Sequence, residues 1–195
     1  MILFLHGFAS SGNATKAEVL KKYCSDNFQK RNYTFLAPDL PVEPNMAIGL
    51  INNILESADK DTTVFGSSLG GYYAMWAGAK FNVNIVLINP AVEPYEGLKE
   101  KIGLNKNCQT GEEFEFKEGY INQLKELFSD IDFSEYPKEK ILLMLAEDDD
   151  LLDYRRTLKY FDSEYGKLIL EKESGHSFTK FGENLKYVFD YYKLT

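Results

Sequence analysis

The sequence of 195 residues contains only two cysteines, Cys24 and Cys108, and only two histidines, His6 and His176. Two cysteines are too few for a disulfide framework and are typical of free thiols in a reducing cytoplasm. The sequence has no CxxC and no HExxH spacing, so neither of these common metal-binding patterns is present. We therefore expect a cytoplasmic protein without a metal.

Long apolar runs and an excess of basic residues are also missing. The longest apolar runs, such as Ile141–Ala146, fall far short of the roughly 18 residues that cross a bilayer. The first five residues include no basic side chain, and their apolar stretch is too short for a signal peptide. The net charge of −8, from 22 Lys and Arg against 30 Asp and Glu, argues against nucleic acid as the main partner.

What remains is an ordinary globular composition, with 44% hydrophobic and 27% charged residues. A chain of this length is about one domain long, so we expect residues 1–195 to form a single domain. Short apolar segments alternate with helical patterns, which is typical of βα units around a parallel sheet. The strand candidates are Ile2–Leu5, Thr34–Ala37, Thr62–Phe65, Asn84–Asn89, Lys140–Ala146 and Lys167–Glu171.

Most of these candidates do not alternate apolar and polar residues, so helices are expected on both faces of a roughly six-stranded, mainly parallel sheet. One helix is predicted after Pro44, with Asn45 as its N-cap and Ile48, Ile51 and Leu55 on one face. A second, over residues 69–80, is apolar nearly all round and should be buried. A third is predicted near the C-terminus, from Phe181 onwards.

One long segment, at about residues 91–139, contains no strong strand signal. It holds many aromatic residues among acidic ones, with twelve Asp and Glu against six Lys. A long insertion of this kind is more often a lid or binding element than a plain connection. The sequence therefore predicts a lid-like insertion whose charge repels anions.

The strongest motif is G-x-S-x-G at Gly66, Ser68 and Gly70, between a predicted strand and a predicted helix. This context is what a nucleophile elbow requires, because its sharp turn needs flanking residues without bulk. The strained backbone then exposes the serine hydroxyl at the start of the helix. For the neighbouring Ser67 the flanking residues are a phenylalanine and a leucine, so the frame selects Ser68.

A serine becomes a good nucleophile when a base removes its proton and a third group orients that base. In the fold that carries this elbow the chain order is serine, acid, histidine, which His176 satisfies and His6 does not. The acid is expected on the loop after the penultimate strand, where five carboxylates fall within residues 147–153. Most of them must simply be solvated. This pattern leaves Asp148, Asp149 and Asp150 open as the acid.

The remaining part of such a site is an oxyanion hole, usually two backbone N–H groups. One is expected from Leu69, directly after the nucleophile. The other is expected from Phe8, because Gly7 lets the backbone turn tightly after the first strand. We interpret His6 as a brace of this loop through hydrogen bonding rather than as a base.

Five motifs follow one another along the chain: HGFASS at 6–11, GSSLGGYYA at 66–74, INPAV at 88–92, LDYR at 152–155 and GHSF at 175–178. In content and order they resemble the YqiA-type esterases, small bacterial members of the α/β-hydrolase superfamily. The resemblance implies a compact α/β-hydrolase fold and a serine esterase without a cofactor. It also implies that Asp149, four residues before the Asp of LDYR, is the acid, although family members often have Gly where this chain has Asp148.

The predicted activity is hydrolysis of carboxylic esters, with acyl thioesters as a further option, through an acyl-enzyme intermediate. The acidic insertion favours small or medium uncharged acyl groups over strongly anionic substrates. The alternative is a ligand-binding module that has the fold without turnover, because a fold alone does not establish function. The sequence does not indicate the oligomeric state or the natural substrate.

Overall fold

The structure is a computed structural model that describes residues 1–27, 33–59 and 61–194. Six apolar segments form the central sheet, because their Ile, Leu, Val and Phe side chains can be buried on both faces. The strands of the chain are β1 (Ile2–Leu5), β2 (Phe35–Leu36), β3 (Thr63–Ser67), β4 (Asn84–Ile88), β5 (Gly103–Lys106), β6 (Glu113–Phe116), β7 (Ile141–Ala146) and β8 (Lys167–Glu171). The helices are α1 (Thr15–Asn27), α2 (Pro44–Leu55), α3 (Leu69–Phe81), α4 (Pro94–Gly97), α5 (Glu118–Ser129), α6 (Tyr154–Phe161) and α7 (Phe181–Tyr191).

The central sheet has the order β2-β1-β3-β4-β7-β8, and every neighbouring pair of its strands is parallel. All six predicted strands are present; β1 and β8 have the predicted bounds, and the ends of the others differ from the predicted ones by at most two residues. The predicted six-stranded α/β fold is therefore confirmed.

Helices cover both faces of this sheet because successive strand residues point to opposite sides. In β1, Ile2 and Phe4 belong to a core cluster that includes residues of α1 and α7. Leu3 and Leu5 belong to the opposite cluster, with residues of α2, α3, α5 and α6. All four side chains are at most 1% exposed, so the strand is buried on both sides as predicted.

Two helices can be compared directly with the sequence. Nine of the thirteen residues of α3 are buried, as its nearly continuous apolar pattern predicts. The predicted N-cap of α2 is wrong: the helix begins at Pro44, and Glu43 rather than Asn45 is its N-cap residue. Proline suits the first helical position because its φ is already helical and its missing N–H would have no helical partner there.

The insertion contains two strands that the sequence did not predict. β5 and β6 form a separate antiparallel pair, in which Phe114 and Phe116 of β6 alternate with exposed glutamates. The ring of Phe8 lies 5.5 Å from that of Phe114 and 5.3 Å from that of Phe116, both edge-on. The turn of the hairpin also donates to the loop after β1, from Cys108 N to Ala9 O at 2.8 Å. The insertion is thereby attached to the loop that carries Phe8.

Neither cysteine in the structure is in a disulfide. Cys24 is buried on α1, where desolvation raises the pKa of its thiol to about 12, and Cys108 is exposed. None of the helices in the described ranges has the length and apolar character needed to cross a membrane.

Candidate active site

A cavity of about 890 Å³ lies at the carboxyl ends of the central strands. Parallel α/β sheets place ligands at this edge, because the loops after the strands converge there. The predicted Ser68, Leu69, Phe8 and His176 all line this cavity. The insertion contributes further lining residues, among them Leu98, Lys101, Asn105, Lys106 and Cys108.

Ser68 lies between β3 and α3 with φ 55° and ψ −118°, a backbone conformation that non-glycine residues rarely adopt. Hydrogen bonds to the end of β4 and to the segment after it hold Ser68 there: Ser68 N donates to Ile88 O at 3.0 Å, and Ala91 N donates to Ser68 O at 3.0 Å. The Ser68 hydroxyl itself makes no hydrogen bond within the described part of the chain. It is therefore available to a molecule in the cavity.

The glycines on either side of Ser68 are required by close backbone contacts. A Cβ at Gly66 would lie 2.3 Å from the carbonyl oxygen of Gly70, and a Cβ at Gly70 would lie 2.0 Å from that of Leu5. Real Cβ atoms essentially never approach other atoms this closely, and the backbone cannot move away as a flexible side chain would. The G-x-S-x-G pattern thus has a direct steric cause in this turn.

His176 and Asp149 are joined by a hydrogen bond. The Nδ1 of His176 lies 2.9 Å from Oδ2 and 3.0 Å from Oδ1 of Asp149. The Asp149 side chain is 1% exposed and that of His176 is 24% exposed. The contact fixes the Nδ1–H tautomer of the imidazole and leaves Nε2 as the second, basic nitrogen.

Asp149 remains ionised despite its burial. Desolvation by itself would raise the pKa of the carboxyl, but the hydrogen bond to His176 and the N–H groups of Leu152 and Leu151 outweigh it, so the pKa lies below the usual value. Both N–H groups reach Oδ1 at 2.9 Å. A carboxylate held this way stabilises a positive charge on the neighbouring ring.

The other carboxylates of the loop have different contacts. Asp148 accepts hydrogen bonds from Ser174 N and Gly175 N, both at 2.9 Å, and these bonds lower the pKa of its carboxyl. Asp150 is exposed, and Asp153 caps α6 by accepting from the N–H of Arg155. Among the described carboxylates, Asp149 is the one within hydrogen-bonding distance of the His176 ring.

The loop after β1 runs beside Ser68. A Cβ placed on Gly7 would lie 3.3 Å from the Cβ of Ser68 and 3.8 Å from its hydroxyl oxygen. Across the described ranges, the N–H groups of Phe8 and Leu69 donate to no other residue, and both residues line the cavity. Two free donors next to one serine are what an oxyanion hole consists of.

The side chain of His6 connects this loop to the segment before α2. Its Nε2 accepts from Leu40 N at 2.9 Å, and its Nδ1 lies 2.8 Å from the carbonyl oxygen of Gly7. The residue is 6% exposed, and desolvation lowers the pKa of its ring. Both ring nitrogens are thus occupied by backbone groups, which is the arrangement expected of a structural brace.

Asn89 is a residue of the site that the sequence reasoning did not identify. Its side chain, in a residue 3% exposed, donates to Gly175 O at 3.0 Å and His176 O at 3.1 Å, and accepts from Ala146 N at 2.9 Å. It therefore joins the end of β4 to the end of β7 and to the loop that contains Gly175 and His176, called the histidine loop below. Asn89 is the second residue of the INPAV motif, which is the sequence feature that could have indicated it.

The described residues contain no cluster of three or more His, Cys, Asp or Glu side chains arranged to hold a metal. The chemistry that this site offers comes from an accessible hydroxyl, an oriented imidazole and two free N–H groups. Such a set can transfer an acyl group by way of the serine.

The model of the uncharacterised protein family UPF0227 matches residues 1–193. Relatives of this chain include UPF0227 protein PM0825 of Pasteurella multocida. The two sequences are 27% identical over 189 residues, which cover 95% of this chain and 96% of PM0825. UPF0227 protein YcfP of Escherichia coli is 23% identical over 188 residues, 95% of either chain.

Similar solved structures are α/β hydrolases and esterases. Alpha/beta hydrolase domain-containing protein 10 from mouse has a TM-score of 0.71 at 19% identity. The superposition covers 100% of this chain and 90% of the mouse chain. Est1E from Butyrivibrio proteoclasticus has a TM-score of 0.72 at 16% identity, with coverages of 99% and 86%. Esterase EaEST from Exiguobacterium antarcticum has a TM-score of 0.62 at 17% identity, with coverages of 98% and 91%. At these identities the likeness is one of fold.

Proposed function

The chain belongs to the uncharacterised family UPF0227, the YcfP/YqiA family, and from the geometry of its cavity we propose that it is a serine esterase. The proposed reaction is hydrolysis of carboxylic esters and acyl thioesters with small to medium acyl groups. The observation that carries it is the strained, accessible Ser68 sharing one cavity with a His176 that is hydrogen-bonded to a buried carboxylate.

In the first half of the reaction, Oγ of Ser68 attacks the acyl carbon while Nε2 of His176 takes the hydroxyl proton. The carbonyl oxygen becomes an oxyanion and accepts hydrogen bonds from the N–H groups of Phe8 and Leu69. His176 then gives its proton to the leaving alcohol or thiol, which leaves the acyl group bound to Ser68.

In the second half, Nε2 of His176 takes a proton from water, and the water oxygen attacks the acyl-enzyme carbonyl. The same two N–H groups hold the second oxyanion. The proton returns to Oγ of Ser68 as the acyl bond breaks and the carboxylic acid leaves. Asp149 stays ionised throughout and stabilises the imidazolium formed in each half.

The direct test is hydrolysis of 4-nitrophenyl esters of increasing acyl length, combined with labelling by a fluorophosphonate. An esterase of this type should release nitrophenol and become labelled on the peptide that contains Ser68. If the folded protein neither hydrolyses any ester of the series nor reacts with the fluorophosphonate, the non-catalytic ligand-binding alternative is the better account.

Asn89→Ala is expected to lower kcat by up to about a hundredfold with little change in KM. The reason is that misplacing a catalytic group by about 1 Å can cost that much, and Asn89 holds the backbone of His176. The measurements are kcat and KM for a nitrophenyl ester, together with the rate of fluorophosphonate labelling.

Asn84→Ala is the matched control, because Asn84 is also a buried asparagine but lies at the opposite end of β4, with a 3.4 Å contact to Thr63. Both variants should lose stability in thermal unfolding, and only Asn89→Ala should lose kcat. Equal losses of kcat in the two variants would contradict a positioning role for Asn89.

A further inference from the structure

The cavity contains a lysine without a counter-ion. Lys16, in the first turn of α1, lines the cavity, and its Nζ donates to the carbonyl oxygen of Ser177 at 2.8 Å. Within the described ranges, no carboxylate lies within 4.0 Å of this ammonium. Desolvation lowers the pKa of Lys16, and no neighbouring acid opposes that effect.

The other charges around the cavity differ from those of the insertion as a whole. The lining residues include four cationic side chains, Lys16, Lys101, Lys106 and Arg156, and three carboxylates, Glu93, Glu100 and Asp153. Glu93 is paired with Arg156, and Asp153 with Arg155. The cavity wall is therefore not acidic, although the chain carries a net charge of −8.

A partly buried ammonium without an anion is in an unfavourable environment, because desolvation of a charge is costly unless the charge is paired. An ammonium has three N–H donors, and Ser177 O occupies one of those on Lys16. Two donors remain for a bound molecule. A carboxylate in the cavity would accept charge-assisted hydrogen bonds from them, whereas a purely apolar acyl chain would leave them unpaired.

We propose that the esters hydrolysed at this site carry a carboxylate, and that Lys16 binds it while the ester carbonyl lies at Ser68. This inference rests on the proposed esterase function. Of the three lysines lining the cavity, Lys101 and Lys106 are exposed and only Lys16 is partly buried, so one desolvated ammonium faces the ligand. Arg156, the arginine among the described lining residues, is engaged by Glu93. The preferred ligand is therefore a carboxylate rather than a doubly charged phosphate.

The proposal is opposite to what the overall charge of the insertion predicts. Exposed carboxylates act at long range and are screened within about 10 Å at ordinary ionic strength. The Lys16 contact is direct and partly shielded from solvent, so salt should weaken it much less. Specificity should then follow the charge at the cavity wall rather than the net charge of the insertion.

The experiment compares a half-ester of a dicarboxylic acid, mono(4-nitrophenyl) adipate, with the neutral ester of equal chain length, 4-nitrophenyl hexanoate. For the wild-type protein kcat/KM should be higher for the adipate. In Lys16→Met the adipate-to-hexanoate ratio should fall by about ten- to a hundredfold, the usual effect of removing a hydrogen bond to a charged group. In Lys16→Arg, which keeps the positive charge, most of the ratio should remain.

Lys21→Met is the control, because Lys21 lies on the exposed side of the same helix and its nearest carboxylate is Glu18 at 3.9 Å. Its ratio should equal that of the wild type. The use of a ratio removes any general loss of activity that Lys16→Met causes through the lost bond to Ser177 O.

The inference is wrong if the wild-type protein prefers hexanoate, or if Lys16→Met leaves the ratio unchanged while both esters are still hydrolysed. It is also wrong in its choice of ligand if a nitrophenyl ester with a terminal phosphate is hydrolysed more efficiently than the adipate. Failure to hydrolyse either ester, with no fluorophosphonate labelling, would instead overturn the esterase function itself.

Discussion

Ser68→Ala is expected to reduce ester hydrolysis by about a million-fold in kcat, because removal of a triad nucleophile has that order of effect. Without the hydroxyl there is no acyl-enzyme, and the oxyanion N–H groups can only assist direct attack by water. The measurement is single-turnover and steady-state kinetics on a nitrophenyl ester, with circular dichroism to establish that the variant is folded.

Ser67→Ala is the matched control for this result. Ser67 is the last residue of β3 and stands next to the nucleophile, but it lacks the glycine frame that exposes a hydroxyl. Most of the activity and all of the fluorophosphonate labelling should remain in Ser67→Ala. Labelling that persists in Ser68→Ala would mean that the nucleophile is a different residue.

Asp149→Asn is expected to lower kcat/KM by roughly ten-thousand-fold, or about 5.5 kcal/mol of transition-state stabilisation. The amide can donate to Nδ1 of His176, which favours the tautomer with hydrogen on Nε2. That nitrogen then cannot accept the proton of Ser68. The measurement is kcat/KM for one ester at one pH for the wild type and the variant.

Asp148→Asn and Asp150→Asn, measured under the same conditions, separate the acid from its neighbours. Asp150 is exposed, so its variant should differ from the wild type by a few fold at most. Asp148 holds the N–H groups of Ser174 and Gly175, and the oxygen of an amide can still accept from them, so we again expect a small loss. A large loss in Asp148→Asn with a small one in Asp149→Asn would contradict Asp149 as the acid.

The parts of the site that the sequence predicted are those with local causes. A glycine frame around a strained serine is a property of five consecutive residues, and the positions of the six central strands follow from their apolar patterns. The local sequence did not identify the acid, because several carboxylates lie close together after β7. A family resemblance selected Asp149, and the structure shows the side chain that makes the contact with His176.

Features that depend on contacts between distant strands were not predictable in this way. Asn89 and Asp148 act on the histidine loop, 86 and 26 residues further along the chain, and nothing near either residue indicates that partner. The β5–β6 hairpin was missed because neither strand is a continuous apolar segment like those of the central sheet: β5 has one apolar side chain, and β6 alternates phenylalanine with glutamate. The position of Lys16 beside Ser177 likewise appears only when α1 packs against the last loop of the sheet.

The backbone of Ser68 has a consequence for how the chain has been selected. Glycine occupies positive φ values at no steric cost, whereas another residue held in such a conformation costs about 1–3 kcal/mol of folding free energy. At φ 55° and ψ −118°, Ser68 has this cost, so we expect a glycine at the same place to raise the melting temperature of the domain. Selection for a durable fold alone would favour glycine there, so the serine indicates that something other than durability has been selected at this turn.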